Sequence, residues 1–199
     1  MGANHPIRVR TLRPSSLSRT LALATPAVSL LVQRADAAFD TFIKFADIKG
    51  ESLDKTHFEW STATGFDFGV TVPFYLEAGT GPNVGSPQAK PIVIRKAIDK
   101  ASPQLFLKSV TGQPLPTVTL ELTRVTSSGI PVVFYKMVLT NVFITKIETD
   151  AQSGISSTVP TESIELNFEA MSIIYSVTDS KGGVTPQPEV TWNFAGNQK

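Results

Sequence analysis

Two histidines, His5 and His57, and three glutamates, Glu162, Glu165 and Glu169, come nearest to a catalytic pattern by type and spacing. On a helix the three glutamates would share one face, where paired carboxylates can exchange protons. The alternating residues around them instead predict a strand, which places Glu165 and Glu169 on one solvated face. We therefore expect surface carboxylates without a catalytic role.

His57 stands beside Phe58 and near Trp60 and could act as a general base. No Gly-x-Ser-x-Gly nucleophile elbow accompanies it, and the chain has two histidines and no cysteine. That leaves little material for a histidine metal site or a thiolate site. The pattern favours a histidine at the surface or at a strand end. The sequence therefore predicts no catalytic, cofactor-binding or metal-binding residue.

Two further segments have the composition of a ligand site without its spacing. Ala78–Gly85 is rich in glycine but lacks the Gly-Lys-Ser/Thr ending of a phosphate loop, and Pro82 and Pro87 oppose a following helix. Lys90–Lys108 is locally basic, but Asp99 interrupts it and no aromatic residues are interleaved. We interpret the first as a flexible loop and the second as a solvated approach to a helix.

Length and charge bound the remaining classes of function. The chain has 199 residues, of which 41 % are hydrophobic and 18 % charged, so one domain with a sizeable core is expected. The net charge of +1 is uneven, because residues 1–35 hold five arginines and no acid. From Asp36 onward 13 basic residues face 17 acidic ones, a net charge of −4. This mildly acidic body is a poor candidate for binding nucleic acid.

Residues 1–37 differ from the rest of the chain. Arginines, serines and prolines precede an apolar run, Leu21–Val32, which Pro26 interrupts and which is too short to span a bilayer. The order basic, apolar, then Ala35-Asp36-Ala37 resembles a secretory signal peptide. We prefer a disordered leader, or upstream sequence added by a misplaced start. Residues 38–199 are expected to form a single β-barrel domain.

From Phe39 onward the residues alternate as in strands. Phe39–Phe45 predicts a first strand, and apolar residues at period two predict another from Glu59 to Phe74. The long runs Val132–Thr149 and Ser163–Val177 each change their apolar face midway, the first near Thr140-Asn141, where we expect a β-bulge. Such changes are typical of a sheet that coils into a barrel.

One helix is predicted after Ser102-Pro103. Ser102 is expected to cap its start, proline is tolerated in the first turn, and Gly112 fits a left-handed stop. The helix is too short to be stable alone and must dock on the sheet, through the apolar residues Leu105, Phe106, Leu107 and Val110. The predicted fold class is mainly β: a β-barrel or two-sheet sandwich with one short flanking α-helix.

Apolar residues on both faces of several strands indicate cover by the helix or by another subunit. Thr71–Lys90 is rich in glycine and proline, and loops of this length are usually functional or disordered. Its apolar cluster Phe74, Tyr75 and Leu76 offers contact area, while a solvated, mobile loop is the alternative.

Several segments, in colinear order, resemble the haemolysin-coregulated protein family over about residues 38–196. They are Phe42-Ile43-Lys44, Ile48–Ser52, Asp54–His57, Ile98–Leu105, Glu162–Tyr175 and Val190–Asn193. The leader departs from that family, whose members usually start just before the first strand.

The resemblance implies a structural and secreted component of the bacterial type VI secretion system. Such proteins form hexameric rings that stack into a tube, which a contractile sheath expels behind a spike protein. Some members also hold effector cargo in the ring. We expect no cofactor, no nucleic acid and no membrane insertion, and the resemblance implies a cytoplasmic stage before secretion. It also implies that the loop with Phe74, Tyr75 and Leu76 reaches the neighbouring ring.

A monomeric β-barrel that binds a small ligand in its interior is the alternative function. The residues expected inside, Leu120, Leu122 and Phe168, are bulky and predict a filled core instead.

Overall fold

The structure is a computed structural model that describes residues 39–77, 79, 81–126, 129–151, 159–179 and 183–199. The predicted leader, residues 1–37, lies outside the described residues. In chain order the strands are β1 (Phe39–Phe45), β2 (Ser61–Asp67), β3 (Val70–Thr71), β4 (Phe74–Glu77), β5 (Gly81–Val84), β6 (Gln88–Ala89), β7 (Ile92–Ala97), β8 (Leu115–Val125), β9 (Pro131–Asp150), β10 (Thr161–Thr178), β11 (Val184–Pro186) and β12 (Val190–Asn193). The helix α1 (Ser102–Thr111) lies between β7 and β8.

Six antiparallel strands close into a barrel in the order β1, β2, β7, β10, β9, β8. The ring is complete because β8 pairs with β1 and β10 pairs with both β7 and β9. The last strands, β11 and β12, pair with the distal part of β10, beyond the residues that β7 covers. The predicted fold class, mainly β with one short helix, is confirmed.

The barrel interior is a packed apolar core. Of the three predicted interior residues, Leu120 and Leu122 are buried, and Phe168 is partly buried and packs against the core. Where a strand alternates, every second residue lies inside. Among the fully buried side chains are Ile43, Phe45, Ile92, Ile94, Met137, Ile164 and Leu166.

The change of face in β9 and β10 is confirmed, but its mechanism differs from the predicted bulge. Leu139 and Val142 are both buried although three residues apart. The strand register is continuous there, and Asn141 takes a positive φ of 50°. The reversal in β9 therefore comes from one asparagine in the left-handed region, which asparagine visits more readily than most residues. The bulges lie elsewhere in the barrel, one of them between Glu165 and Leu166.

Helix α1 begins and ends as predicted, but its cap does not involve Ser102. The residue at the N-cap is Ala101, without a side-chain cap, and the Ser102 hydroxyl donates to Glu162 instead (2.7 Å). Gly112 ends the helix with a φ of 62°. Of the expected apolar face only Leu105 is buried; the exposed remainder comprises Phe106, Leu107 and Val110. Within the described residues, no helix is long and apolar enough to cross a membrane.

The strand predicted from Glu59 to Phe74 is shorter than expected. β2 ends at Asp67, and Val70 belongs to a separate two-stranded ladder in which β3 pairs with β6. Val70 and Val72 are exposed. The chain therefore leaves the barrel after β2 and returns to it at β7.

Candidate functional site

The segment expected to be a long loop is instead a β-hairpin, here called the arm (Val70–Ala89). Its base is the β3–β6 ladder, and its outer part is the β4–β5 ladder, with Phe74 opposite Val84 and Tyr75 opposite Asn83. Between the two ladders the Gly85 amide donates to the Pro73 carbonyl (2.8 Å). At the turn Gly81 has a φ of 83°, which favours glycine. Local sequence did not show this pairing, because prolines and glycines at the turns masked the short strands.

The outer part of the arm carries the three predicted contact residues. Phe74, Tyr75 and Leu76 are 61 %, 54 % and 76 % exposed, and Val84 on the opposite strand is exposed as well. Successive strand residues point to opposite faces, so both faces of the arm present apolar side chains to solvent. Exposed apolar patches on a folded domain mark interaction sites.

An apolar groove of about 330 Å³ lies at the base of the arm. One wall consists of Phe68, Val70 and Pro87, and the other includes Ile173 of β10 and Val190 and Trp192 of β12. With the arm and the uncovered face of α1, the groove is a third apolar surface of this chain open to solvent. Sequence reasoning missed it because it depends on where β12 pairs with β10.

His57 is buried in the loop before β2, so the prediction of a histidine at the surface or at a strand end is wrong. Its side chain is 1 % exposed, stacked on Phe42 with ring centres 4.1 Å apart and against the edge of Trp60. Nδ1 lies 2.8 Å from Asp54 Oδ1, and Nε2 lies 2.9 Å from Glu121 Oε2. Both ring nitrogens are engaged, so His57 offers no free nitrogen to a substrate.

The Asp54 carboxylate accepts several hydrogen bonds from residues of its own loop. The Thr56 hydroxyl donates to Oδ1 (2.7 Å), as do the backbone amides of Thr56 and His57 (2.9 Å each). The hydrogen bond from the Thr56 hydroxyl has the largest effect and lowers the pKa of Asp54. Burial, the next largest effect, raises it, and the hydrogen bonds from His57 and the Thr56 amide lower it further, so that the pKa lies well below its usual range. The carboxylate is thus ionised over the whole neutral range.

Lys96 is fully buried, so the expectation of a solvated basic segment is wrong for this residue. Its ammonium lies 2.6 Å from Asp99 Oδ1 and 2.8 Å from Glu162 Oε1. It also donates to the Ala97 carbonyl and the Ser102 hydroxyl. Alternation along β7 could have found it, since Ile92, Ile94 and Lys96 all point inward. The cluster joins β7, the start of α1 and β10.

The glutamates lie on a strand, as predicted, with Glu165 and Glu169 partly exposed. Glu169 accepts hydrogen bonds from the Asn141 and Asn193 amides (3.0 and 3.2 Å), and these lower its pKa in that order. Glu162 points the other way and joins the Lys96 cluster. In the described ranges no group of three or more histidine or acidic side chains is arranged to hold a metal ion.

Comparison with known proteins gives one consistent result. The family described as "Type VI secretion system effector, Hcp" matches residues 42–175. Protein hcp1 of Pseudomonas aeruginosa is 27 % identical over 161 residues, which cover 80 % of this chain and 98 % of the relative. The "Major exported protein" of the same organism is 27 % identical over 126 residues, 63 % of this chain and 72 % of the relative. A solved structure described as a type six secretion system protein is 28 % identical with a TM-score of 0.74, over 81 % of this chain and 99 % of that one.

Proposed function

Since the chain belongs to the Hcp family of type VI secretion proteins, we propose that it is a tube protein of that system. Six copies close into a ring, and rings stack into a tube through the arm. The observation that carries the proposal is the exposed apolar cluster Phe74, Tyr75 and Leu76 on an ordered hairpin outside the barrel.

The energetics favour the arm as an assembly contact. Fully burying one large apolar side chain is worth roughly 1.5–3 kcal/mol. A ring repeats each such contact in every subunit, so even a modest gain per arm becomes large for two stacked rings. The arm and the surfaces it would meet are different parts of the chain, and such head-to-tail contacts can extend into a filament.

Two apolar surfaces can form the contacts between neighbouring subunits of a ring. The exposed face of α1 (Phe106, Leu107 and Val110) and the groove at the base of the arm are not covered by other described residues. Monomeric proteins rarely expose several such patches. These surfaces support self-association as the state in which the protein works.

The proposed role also names partners and a route. The spike protein and the contractile sheath of the secretion system are its partners, and the ring interior holds effector cargo. The chain folds in the bacterial cytoplasm and leaves through the secretion system, in line with the exported relative. This role needs no catalytic residue, and the two buried charged clusters serve the fold.

The alternative, a monomeric barrel that binds a ligand inside, receives little support. The interior positions are occupied by packed side chains such as Ile43, Leu120 and Met137. The groove at the base of the arm is open and lies outside this interior.

Native mass spectrometry and light scattering at micromolar concentration test the proposal. We expect a particle of six chains, and tubes by electron microscopy at high concentration. A chain that stays monomeric at these concentrations contradicts the proposal and favours the ligand-binding barrel. After removal of residues 1–37, the same measurements should give the same particle. A denaturation experiment on the shortened chain should give an unchanged unfolding midpoint. A loss of several kcal/mol, on the order of whole-domain stability, would instead make the leader part of the fold.

A further inference from the structure

We propose that His57 is a proton-binding site: it carries a buried positive charge at neutral pH and thereby locks the loop Gly50–Trp60 to the barrel wall. Asp54 Oδ1 and Glu121 Oε2 lie 2.8 and 2.9 Å from its two ring nitrogens. An ionised carboxylate can only accept hydrogen bonds, and a neutral imidazole has one donor and one acceptor nitrogen. Only the doubly protonated ring satisfies both contacts.

The groups around the ring support this state. The Thr56 hydroxyl gives its proton to Asp54, so the oxygen that it turns toward Nδ1 (2.9 Å) acts as an acceptor. Glu121 accepts through its other oxygen from Lys136 (3.0 Å), whose ammonium can only donate. The Lys44 ammonium, on β1, lies 6.0 Å from the centre of the Trp60 ring. Trp60 in turn contacts the His57 ring. Two carboxylates therefore contact the buried ring, and the two lysines lie against its neighbours Glu121 and Trp60.

The charged ring lies between the loop Gly50–Trp60 and the barrel wall, where it can hold the two together. Two backbone hydrogen bonds close the loop: the Gly50 amide donates to the Glu59 carbonyl (2.7 Å), and the Ser52 amide donates to the Trp60 carbonyl (2.8 Å). A Cβ at Gly50 would collide with the backbone of Trp60 and Ser61. The hydrogen bond from His57 to Glu121 joins this loop to β8 across 64 residues of sequence. Loss of the proton would place a nitrogen lone pair against a carboxylate oxygen, so the lock weakens as pH rises.

The sign of the pH dependence follows from proton linkage. An unfolded histidine releases its proton near pH ~6.5, whereas the native chain is proposed to keep it. Above that pH the native state binds more protons than the unfolded state, so stability falls as pH rises. One linked proton changes the folding equilibrium constant at most about tenfold per pH unit, from about pH 6.5 up to the pH at which native His57 deprotonates.

Nitrogen NMR of the imidazole ring in the full chain reads the protonation state directly. The only other histidine is His5, and His5→Gln leaves a single histidine signal. At pH 8 we expect both ring nitrogens of His57 to carry hydrogen. One protonated and one bare nitrogen at that pH would overturn the proposal.

Glu121→Gln provides the second test, because an amide can donate to Nε2 and so accommodates a neutral ring. This variant is expected to show a neutral tautomer at pH 8 and to lose the alkaline fall in stability. Lys136→Gln is the matched control, since it removes the other partner of Glu121 and leaves the contacts of His57 intact; it should keep that fall. If Glu121→Gln retains the parent's alkaline slope, His57 is not the proton-binding group.

Discussion

Asn141 donates its side-chain amide to Glu169 across β9 and β10 (3.0 Å), at the level where both strands change their buried face. The contact lies between the paired residues Phe168–Val142 and Ala170–Thr140. Glu169 also accepts from Asn193, the last residue of β12. One carboxylate thus joins three strands where the barrel wall changes direction.

The free energy of unfolding of Asn141→Ala is expected to be about 1 kcal/mol lower than that of Asn141→Gly, because alanine is strained at positive φ and glycine is not. Urea denaturation at neutral pH measures the difference. Asn167 on β10 is the control, since its φ is not positive and its amide bonds Thr145. There the order should reverse, because glycine weakens an ordinary strand position. Equal stability of the two Asn141 variants would mean that the backbone conformation is not what turns the strand.

Tyr75→Ala combined with Leu76→Ala is expected to leave individual rings intact and to weaken their stacking. Both side chains are exposed on the arm, and each would lose roughly 1.5–3 kcal/mol of burial if the contact is fully buried. Electron microscopy of concentrated protein and light scattering of dilute protein separate tubes from rings. Val125→Ala with Ile130→Ala removes two apolar side chains that are also exposed but do not belong to the arm, and should not affect stacking. Tubes that form as readily in the arm variant as in the parent would remove the arm from the stacking contact. Rings that fall apart into monomers would place it between neighbours within a ring.

Lys96→Met is expected to destabilise the chain by about 3–5 kcal/mol, because it leaves the carboxylates of Asp99 and Glu162 buried without their cation. Adding Glu162→Gln should recover part of this loss, which a double-mutant cycle on denaturation data quantifies. Lys100→Met is the control: that lysine is half-exposed, 3.6 Å from Glu59, and should change stability by less than about 1 kcal/mol. Additive effects of Lys96→Met and Glu162→Gln would show that the cluster does not act as a unit.

Asp54→Asn is expected to reduce stability at neutral pH and to flatten its fall in acid. The pKa of Asp54 is lowered in the native chain, first by the Thr56 hydroxyl, so its contribution is fully present above its ordinary value of 3.8. Protonation removes that contribution as pH falls below this value, so parent and variant should converge there. Thermal unfolding between pH 2 and pH 7 checks this; Asp67→Asn, in an exposed pair with Arg95, should run parallel to the parent. A constant gap between parent and Asp54→Asn down to pH 2 would contradict the assignment.

Local patterns predicted the parts of the fold whose causes are local. Strand β1 has the predicted bounds, Phe39–Phe45, and Gly112 marks the helix end by its own backbone. The environment of His57 escaped prediction because Glu121 follows 64 residues later. The arm residues Phe74, Tyr75 and Leu76 were found as a cluster, whereas their hairpin was not, because its strands are short and rich in turn formers. Lys96 was missed although alternation with Ile92 and Ile94 pointed it inward.

The double pairing of β10 sets an order of events during synthesis. β1, β2, β7, β8 and β9 can pair with their neighbours as they leave the ribosome, but the wall stays open between β7 and β9 until Thr161–Leu166 has emerged. Contacts across such long sequence separations form slowly. Until then the free margins of β7 and β9 are exposed strand edges, which readily pair with other chains. A nascent chain therefore keeps edges that can pair with other chains until β10 has entered the barrel.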